Sequence, residues 1–211
     1  MKTEELIRVL AADGSRPVVP IDQALLRALG LGAVVSLALF LLLLHPRSDL
    51  AQALFSLPFV FKLTFALLIA TAASLLLSEA ARPVAPHRWR WPLILAPLLL
   101  ATGVLIELGS TPTAAWAVRL IGRNAPHCLS LIPLLSLPPL VCLFAALRHG
   151  APMHPMLAGA TAGLVSGGVG SFLYALVCPD DSPLFIATWY SIAIAIVTTV
   201  AAYVGNRLLR W

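Results

Sequence analysis

Charged residues are scarce in this chain, and their scarcity excludes most soluble folds. Lys, Arg, Asp and Glu make up 11% of the 211 residues, whereas 60% are apolar and the mean hydropathy is +0.94. A soluble domain of this length covers one core with a charged surface. Because the chain has too few charges for such a surface, we predict an integral membrane protein.

Long apolar stretches separated by short polar loops occupy most of the chain after the N-terminal segment. A helix needs about 20 mostly apolar residues to cross a bilayer. The pattern predicts an all-α integral membrane protein with six transmembrane helices, at 26–44, 59–77, 92–108, 129–147, 156–177 and 184–205. We therefore divide the chain into a tail, 1–23, and a membrane domain, 24–211, which leaves no room for a soluble catalytic domain.

The basic residues predict the orientation of these helices. Ten of the 14 Lys and Arg residues fall on the side that carries both termini, and the other four are Arg47, Lys62, Arg119 and Arg123. Because Lys and Arg accumulate in cytoplasmic loops, both termini are expected in the cytoplasm. The net charge of +5 then reflects topology and contact with the lipid bilayer, not nucleic-acid binding.

The tail carries the pattern of a short amphipathic helix. Thr3 is a suitable N-cap, Gly14 can end the helix, and the apolar stripe between them consists of Leu6, Ile7, Val9 and Leu10. So short a helix is marginal alone and needs a surface, either the membrane, this chain's own loops or another protein. A membrane-lying helix is usually rich in Lys and Arg, whereas this one includes three acids, so a groove on a partner protein is favoured.

Two of the apolar runs contain residues that shape helix packing. The fifth has Gly159, Gly163 and Gly167 at every fourth position, which permits close helix approach. We expect this face to pack within the chain rather than against a second copy. The fourth run contains Pro138 and Pro139, which remove backbone hydrogen bonds and predict a kink.

Charges inside the apolar runs are nearly absent. Lys62 falls near the outer end of the second run, where it is expected to extend its ammonium to the headgroups, and Glu107 falls at the outer end of the third. Ion-coupled transporters usually keep charges near the bilayer midplane, and no inverted repeat is evident. Transport is therefore disfavoured.

The three cysteines are the main chemical signal. Cys128 and Cys178 fall on the predicted outer side, which is oxidising in bacteria, and Cys142 falls within the fourth run as a small buried residue. The outer two could form a disulfide, remain unlinked thiols, or act as a redox or metal sensor. A possible metal-ligand set is His127, Cys128, Cys178, Asp180 and Asp181.

The sequence contains none of the common enzyme motifs that we looked for outside the cysteine pair. The sequence has no Cys-x-x-Cys, no Gly-x-Ser-x-Gly elbow, no His-Glu-x-x-His helix and no phosphate-binding loop. We expect no catalytic residues and no cofactor. The alternative that stays open is a membrane thiol-redox enzyme that uses Cys128 and Cys178.

Three segments of the chain carry a family resemblance: the opening Thr3-Glu-Glu-Leu-Ile-Arg-Val-Leu-Ala-Ala-Asp13, the run Cys128-Leu-x-x-Ile-Pro-Leu-Leu-Ser-Leu-Pro-Pro139, and the closing Cys178-Pro-x-Asp-Ser-Pro183, Trp189-Tyr190 and Gly205-x-Arg-Leu-Leu-Arg-Trp211. Together they resemble the NrsF family of six-span inner-membrane anti-sigma factors of bacteria. The resemblance covers the whole chain, and its cysteine motifs are fairly specific.

The resemblance implies a signalling protein of the stress response. The N-terminal helix would bind an extracytoplasmic-function (ECF) sigma factor on the cytoplasmic side and keep it from RNA polymerase, without direct contact to nucleic acid. The outer cysteines Cys128 and Cys178 would sense a heavy-metal ion or an oxidant. The partner-binding residues would be Leu6, Ile7, Val9, Leu10 and Asp13.

Overall fold

The computed structural model describes Thr3 and residues 20–82, 92–150 and 152–210, which contain helices and no strands. In order, the helices are α1 (Ile21–Leu43), α2 (Leu50–Ala53), α3 (Leu57–Ala80), α4 (Pro92–Ser110), α5 (Thr113–Ile121), α6 (Ala125–Leu147), α7 (Pro155–Ala175) and α8 (Pro183–Leu208). The helix α8 contains one π-helical turn, Ile186–Tyr190.

Six of these helices, all except α2 and α5, are long and apolar enough to cross a membrane, which confirms the predicted fold class. Their bounds differ from the predicted ones by a few residues because helices end at backbone caps rather than where hydropathy falls. The helix α1 begins at Ile21, inside the segment 1–23 assigned to the tail, and the Pro20 carbonyl accepts the N–H groups of Gln23 and Ala24.

The connecting segments gather at two opposite ends of the bundle. One end, which we call the cysteine end, comprises 44–56, 111–124 and 176–182. Its segments bond to each other: the Arg47 N–H donates to the Leu176 carbonyl at 3.1 Å, and the Asn124 N–H donates to the Asp180 carboxylate at 3.0 Å. The other end, the terminal end, carries residue 20, the segment around 148–154 and residues 209–210. There, Gly150 lies against Ile21 and Ala81.

The helix α7 lies at the centre of the bundle. Of its most apolar window, 61% is buried, against 17% for α4. Its small residues face three neighbours: Gly159 meets the Ala201 carbonyl of α8 with no room for a Cβ, and a Cβ on Gly168 would lie 2.7 Å from the Ala70 nitrogen of α3. Gly170 lies against α6 in the same way. The prediction that the glycine face packs within the chain is confirmed.

The proline-rich helix α6 runs as one helix through Pro133, Pro138 and Pro139. Pro139 has no N–H, so the Leu135 carbonyl one turn earlier loses its usual helical partner. The Ser36 hydroxyl of α1 donates to that carbonyl at 2.5 Å, and both Ser36 and Leu135 are fully buried. Nearby Gly32 allows α1 to approach the Pro139 backbone. A side chain from a neighbouring helix thus replaces the missing backbone donor.

We predict that Ser36→Ala destabilises the bundle by about 1–3 kcal/mol, because the buried Leu135 carbonyl is left without a donor. The matched control is Ser130→Ala on exposed α6 surface, where the hydroxyl bonds only to carbonyls of its own helix. Reversible unfolding in mixed detergent micelles measures both. A Ser36→Ala protein as stable as Ser130→Ala would contradict the assigned role.

Candidate functional site

Two buried thiols meet at the cysteine end. Cys128 lies in the first turn of α6, Cys178 follows the end of α7, and their exposed fractions are 0% and 1%. Both are free thiols, and both belong to one buried cluster that also contains Tyr174 and Tyr190. The structure therefore brings together the two cysteines that the sequence predicts as a sensor. Cys142, predicted as buried, is partly exposed instead.

Two tyrosines enclose the thiol pair. Tyr174 of α7 and Tyr190 of the π-helical turn place their rings 5.9 Å apart, and Phe185 meets the Tyr190 ring edge-on at 6.3 Å. Tyr174 is buried in the same cluster as both thiols. The Tyr190 hydroxyl lies next to Cys178 but makes no well-formed hydrogen bond within the described residues. π-helical turns are often found at functional sites, and this one aims Tyr190 at the thiols.

The surroundings of Cys178 favour its thiolate. The neighbouring Cys128 thiol and the positive charge of Lys62 lower the pKa of Cys178 to about 7, against the opposing effect of burial. The titratable groups that face this sulfur are Cys128, Tyr174, Tyr190, Lys62 and Asp180. Of the two thiols, Cys178 is therefore the one that we expect to have thiolate character at neutral pH.

Lys62 is buried among these groups, and the expectation that it reaches the headgroups is wrong. Its side chain is 0% exposed and forms an ion pair with Asp181. Its ammonium also donates to the carbonyls of Cys178 at 2.7 Å and Asp180 at 3.3 Å, and lies 5.4 Å from the Phe59 ring centroid. Partners inside the protein replace the water that a lysine at this depth would otherwise seek.

The two acidic residues after Cys178 are each engaged by neighbouring segments. The Asp181 carboxylate also pairs with the Arg47 guanidinium at 2.9 Å. One Asp180 oxygen accepts three hydrogen bonds at 3.0 Å, from the Arg123 N–H and from the N–H and amide of Asn124. The preceding Gly122 has φ +59°, a conformation that favours glycine and turns the chain toward Asp180.

A buried carboxylate ties the start of α8 to α4. Glu107 is 6% exposed and accepts hydrogen bonds from the Ser182 hydroxyl at 2.8 Å and the Leu184 N–H at 2.9 Å. The Arg119 guanidinium of α5 pairs with it at 2.9 Å. The Cys178-containing segment is thus held by groups from four other parts of the chain: α3, α4, Arg47 and the pair Arg123 and Asn124. In the sequence, the feature that indicates these buried polar contacts is the presence of Lys62 and Glu107 inside otherwise apolar runs.

The five suggested metal ligands do not converge on one point. Among the described residues, no group of three or more His, Cys, Asp and Glu side chains is arranged to hold a metal ion. His127 is exposed, and the carboxylates of Asp180 and Asp181 are taken by their partners. What remains is a pair of adjacent thiols. Two such thiols can form a disulfide or supply two sulfur ligands to a thiophilic ion.

The predicted partner-binding residues lie outside the described part of the chain. They are Leu6, Ile7, Val9, Leu10 and Asp13. Their assignment stays a prediction from the sequence.

We predict that alkylation of Cys178 by iodoacetamide reaches its half-maximal rate near pH 7. A thiol with a pKa of about 7 is half ionised there, whereas an ordinary thiol with a pKa of about 8.5 is only a few per cent ionised. Mass spectrometry of the Cys142→Ser protein separates the two remaining thiols, so Cys128 serves as the internal control. A half-maximal rate for Cys178 above about pH 8.5 would contradict the lowered pKa.

Comparison with known proteins places this architecture in a family. The family model described as NrsF, negative regulator of sigma F, matches residues 10–211. The anti-sigma-F factor NrsF of Caulobacter vibrioides is 36% identical over 217 residues, and the probable anti-sigma-F factor NrsF of Azospira oryzae is 33% identical over 216. Both alignments cover 100% of each chain. No solved structure matches. The chain therefore belongs to the NrsF family of negative regulators of sigma F.

Proposed function

We propose that this protein is a membrane-bound anti-sigma factor that sequesters an ECF sigma factor through its N-terminal helix. Release follows when Cys128 and Cys178 sense a heavy-metal ion or an oxidant. The observation that carries the proposal is the family match over residues 10–211, together with full-length relatives that are named anti-sigma-F factors. Those relatives are regulators by name, not enzymes.

The placement of the tail supports a role in binding. The helix α1 begins at Ile21, so the apolar stripe of residues 6–10 is tethered to the terminal end of the bundle. The sequence predicts ten of the 14 Lys and Arg residues on the side of the termini, and on that basis we assign this end to the cytoplasmic face of the inner membrane. A sigma factor is a cytoplasmic protein, and an apolar helix face fits a groove on such a partner.

The placement of the thiols supports a role in sensing. Cys128 and Cys178 lie at the cysteine end, which is opposite the tail and faces the oxidising side in the proposed orientation. Sensor thiols are expected to have thiolate character, and the lowered pKa of Cys178 supplies it. Sensing and binding are therefore assigned to opposite ends of one bundle.

The first test concerns the tail. We predict that Leu6→Asp and Leu10→Asp each reduce co-purification of the ECF sigma factor by at least about tenfold, because a charge in the apolar stripe must be desolvated on binding. Ala12→Asp is the matched control, since it adds the same charge on the opposite face of the predicted helix. Equal retention of sigma by all three variants would contradict binding through the stripe.

The second test concerns the thiols. We predict that Cys128→Ser and Cys178→Ser each hold sigma after exposure to diamide or cadmium, whereas Cys142→Ser releases it as the parent protein does. The two outer variants should behave alike because one disulfide or one bound ion needs both sulfurs. Opposite phenotypes would argue against a single shared site.

The adjacent thiols also favour one alternative function, a membrane thiol-redox enzyme. That enzyme would exchange disulfides catalytically and would be indifferent to deletion of residues 2–20. Sigma retained by the full chain and lost with the deletion supports the anti-sigma function. Thiol turnover with no sigma bound supports the enzyme.

A further inference from the structure

Lys62 is the buried basic residue at the thiol site. Among residues 20–82, 92–150 and 152–210, no other Lys or Arg is buried. Its position in α3 puts it on a different helix from both cysteines. Burying a charge costs free energy, so Lys62 can occupy this position only because partners inside the protein bond to its ammonium group.

All three protons of the Lys62 ammonium point to one short segment. A lysine ammonium has three donors and no acceptor. Three acceptors meet it: the Cys178 carbonyl at 2.7 Å, the Asp180 carbonyl at 3.3 Å and the Asp181 carboxylate. One side chain of α3 therefore holds residues 178–181 at three points, two of which are backbone carbonyls.

The bond to the Cys178 carbonyl bears directly on the thiols. Fixing the backbone of Cys178 fixes the direction of its Cα–Cβ bond and so the place of its sulfur. Cys128 is held separately by α6. Whether the two sulfurs meet thus depends on where α3 holds the 178–181 segment.

Arg47 provides an internal comparison. Its guanidinium bonds to Asp181 at 2.9 Å and to Asp49, but its side chain has no hydrogen bond to the backbone of Cys178 or Asp180. Arg47 and Lys62 thus share the Asp181 ion pair and differ in the carbonyl contacts. The difference separates a role in charge pairing from a role in placing the thiol.

We propose that Lys62 is a positioning residue of the thiol pair, which holds the Cys178 sulfur against Cys128 through its bond to the Cys178 carbonyl. The physiological role of this positioning rests on the sensor function proposed above, whereas the contacts of Lys62 do not depend on that function. The consequence is that α3 takes part in thiol chemistry although it carries no cysteine.

The test is the rate of disulfide formation with diamide in the purified full-length Cys142→Ser protein. One thiolate adds to an azo nitrogen and forms an S–N bond; the second thiolate then attacks that sulfur, and the S–N bond breaks with the hydrazine as leaving group. The sulfurs form an S–S bond and lose two electrons, and the N=N bond takes these electrons and two protons to become a hydrazine. The product is measured by mass spectrometry after the remaining thiols are blocked.

We expect Lys62→Met to slow this reaction by about tenfold or more, because a displacement of reacting atoms by about 1 Å can cost up to ~100-fold. Lys62→Arg should recover part of the rate, because a cation and its donors return. Arg47→Met and Asp181→Asn should stay within about threefold of the parent, since each leaves the Cys178 carbonyl contact in place.

The decisive comparison is Lys62→Met/Asp181→Asn against Asp181→Asn. Removing both charges avoids an unpaired buried carboxylate, so the double variant can be measured even where Lys62→Met alone does not fold. All rates are taken from the high-pH plateau of the pH–rate profile, where Cys178 is ionised in every variant, so that the lost Lys62 charge does not itself slow the reaction and the comparison reports on the carbonyl contacts. A double variant that stays slow supports the proposal. A double variant as fast as Asp181→Asn, or an Arg47→Met protein as slow as Lys62→Met, overturns it. No sigma factor is present, so failure here and failure of sigma binding are separate results.

Discussion

The burial of one ammonium group organises the cysteine end of this protein. A lysine inside an apolar helix must find acceptors within the protein or be drawn out to water. Lys62 finds all of its acceptors in residues 178–181, so that segment must fold back over α3. This fold-back carries Cys178 to Cys128. The thiol pair is therefore a consequence of satisfying a charge, as well as of packing two helices.

A second buried charge, the Glu107 carboxylate, holds the other end of the link between α7 and α8. Glu107 of α4 receives the Leu184 N–H, a free donor of the first turn of α8, and the Ser182 hydroxyl. With Lys62 on one flank and Glu107 on the other, the link between α7 and α8 is fixed at both ends. Such a link has little freedom to absorb a change at the thiols without moving the helices that hold it.

Hydropathy and basic-residue counts were enough to predict the class and the six helices, because each helix must satisfy its own backbone bonds within lipid. The glycine spacing of α7 likewise predicted packing inside the chain. The acceptors of Lys62 and the donors to Glu107 from the start of α8 could not be predicted, because they lie at least 116 and 75 residues away in sequence. The Ser36 bond to the Leu135 carbonyl is similar: proline reveals an orphan carbonyl, but only the fold reveals its donor.

The packing of α7 determines how a change at the thiols can spread. Cys128 stands at the start of α6 and Cys178 just beyond the end of α7, so a change in the sulfur–sulfur distance acts on both helix ends. The glycine contacts of α7 leave no free space toward α8 and α3. Close-packed interiors pass a displacement on to neighbouring helices rather than absorbing it. In an anti-sigma factor of this design, α7 would therefore shift together with its neighbours, and the terminal end that bears the tail would move with them.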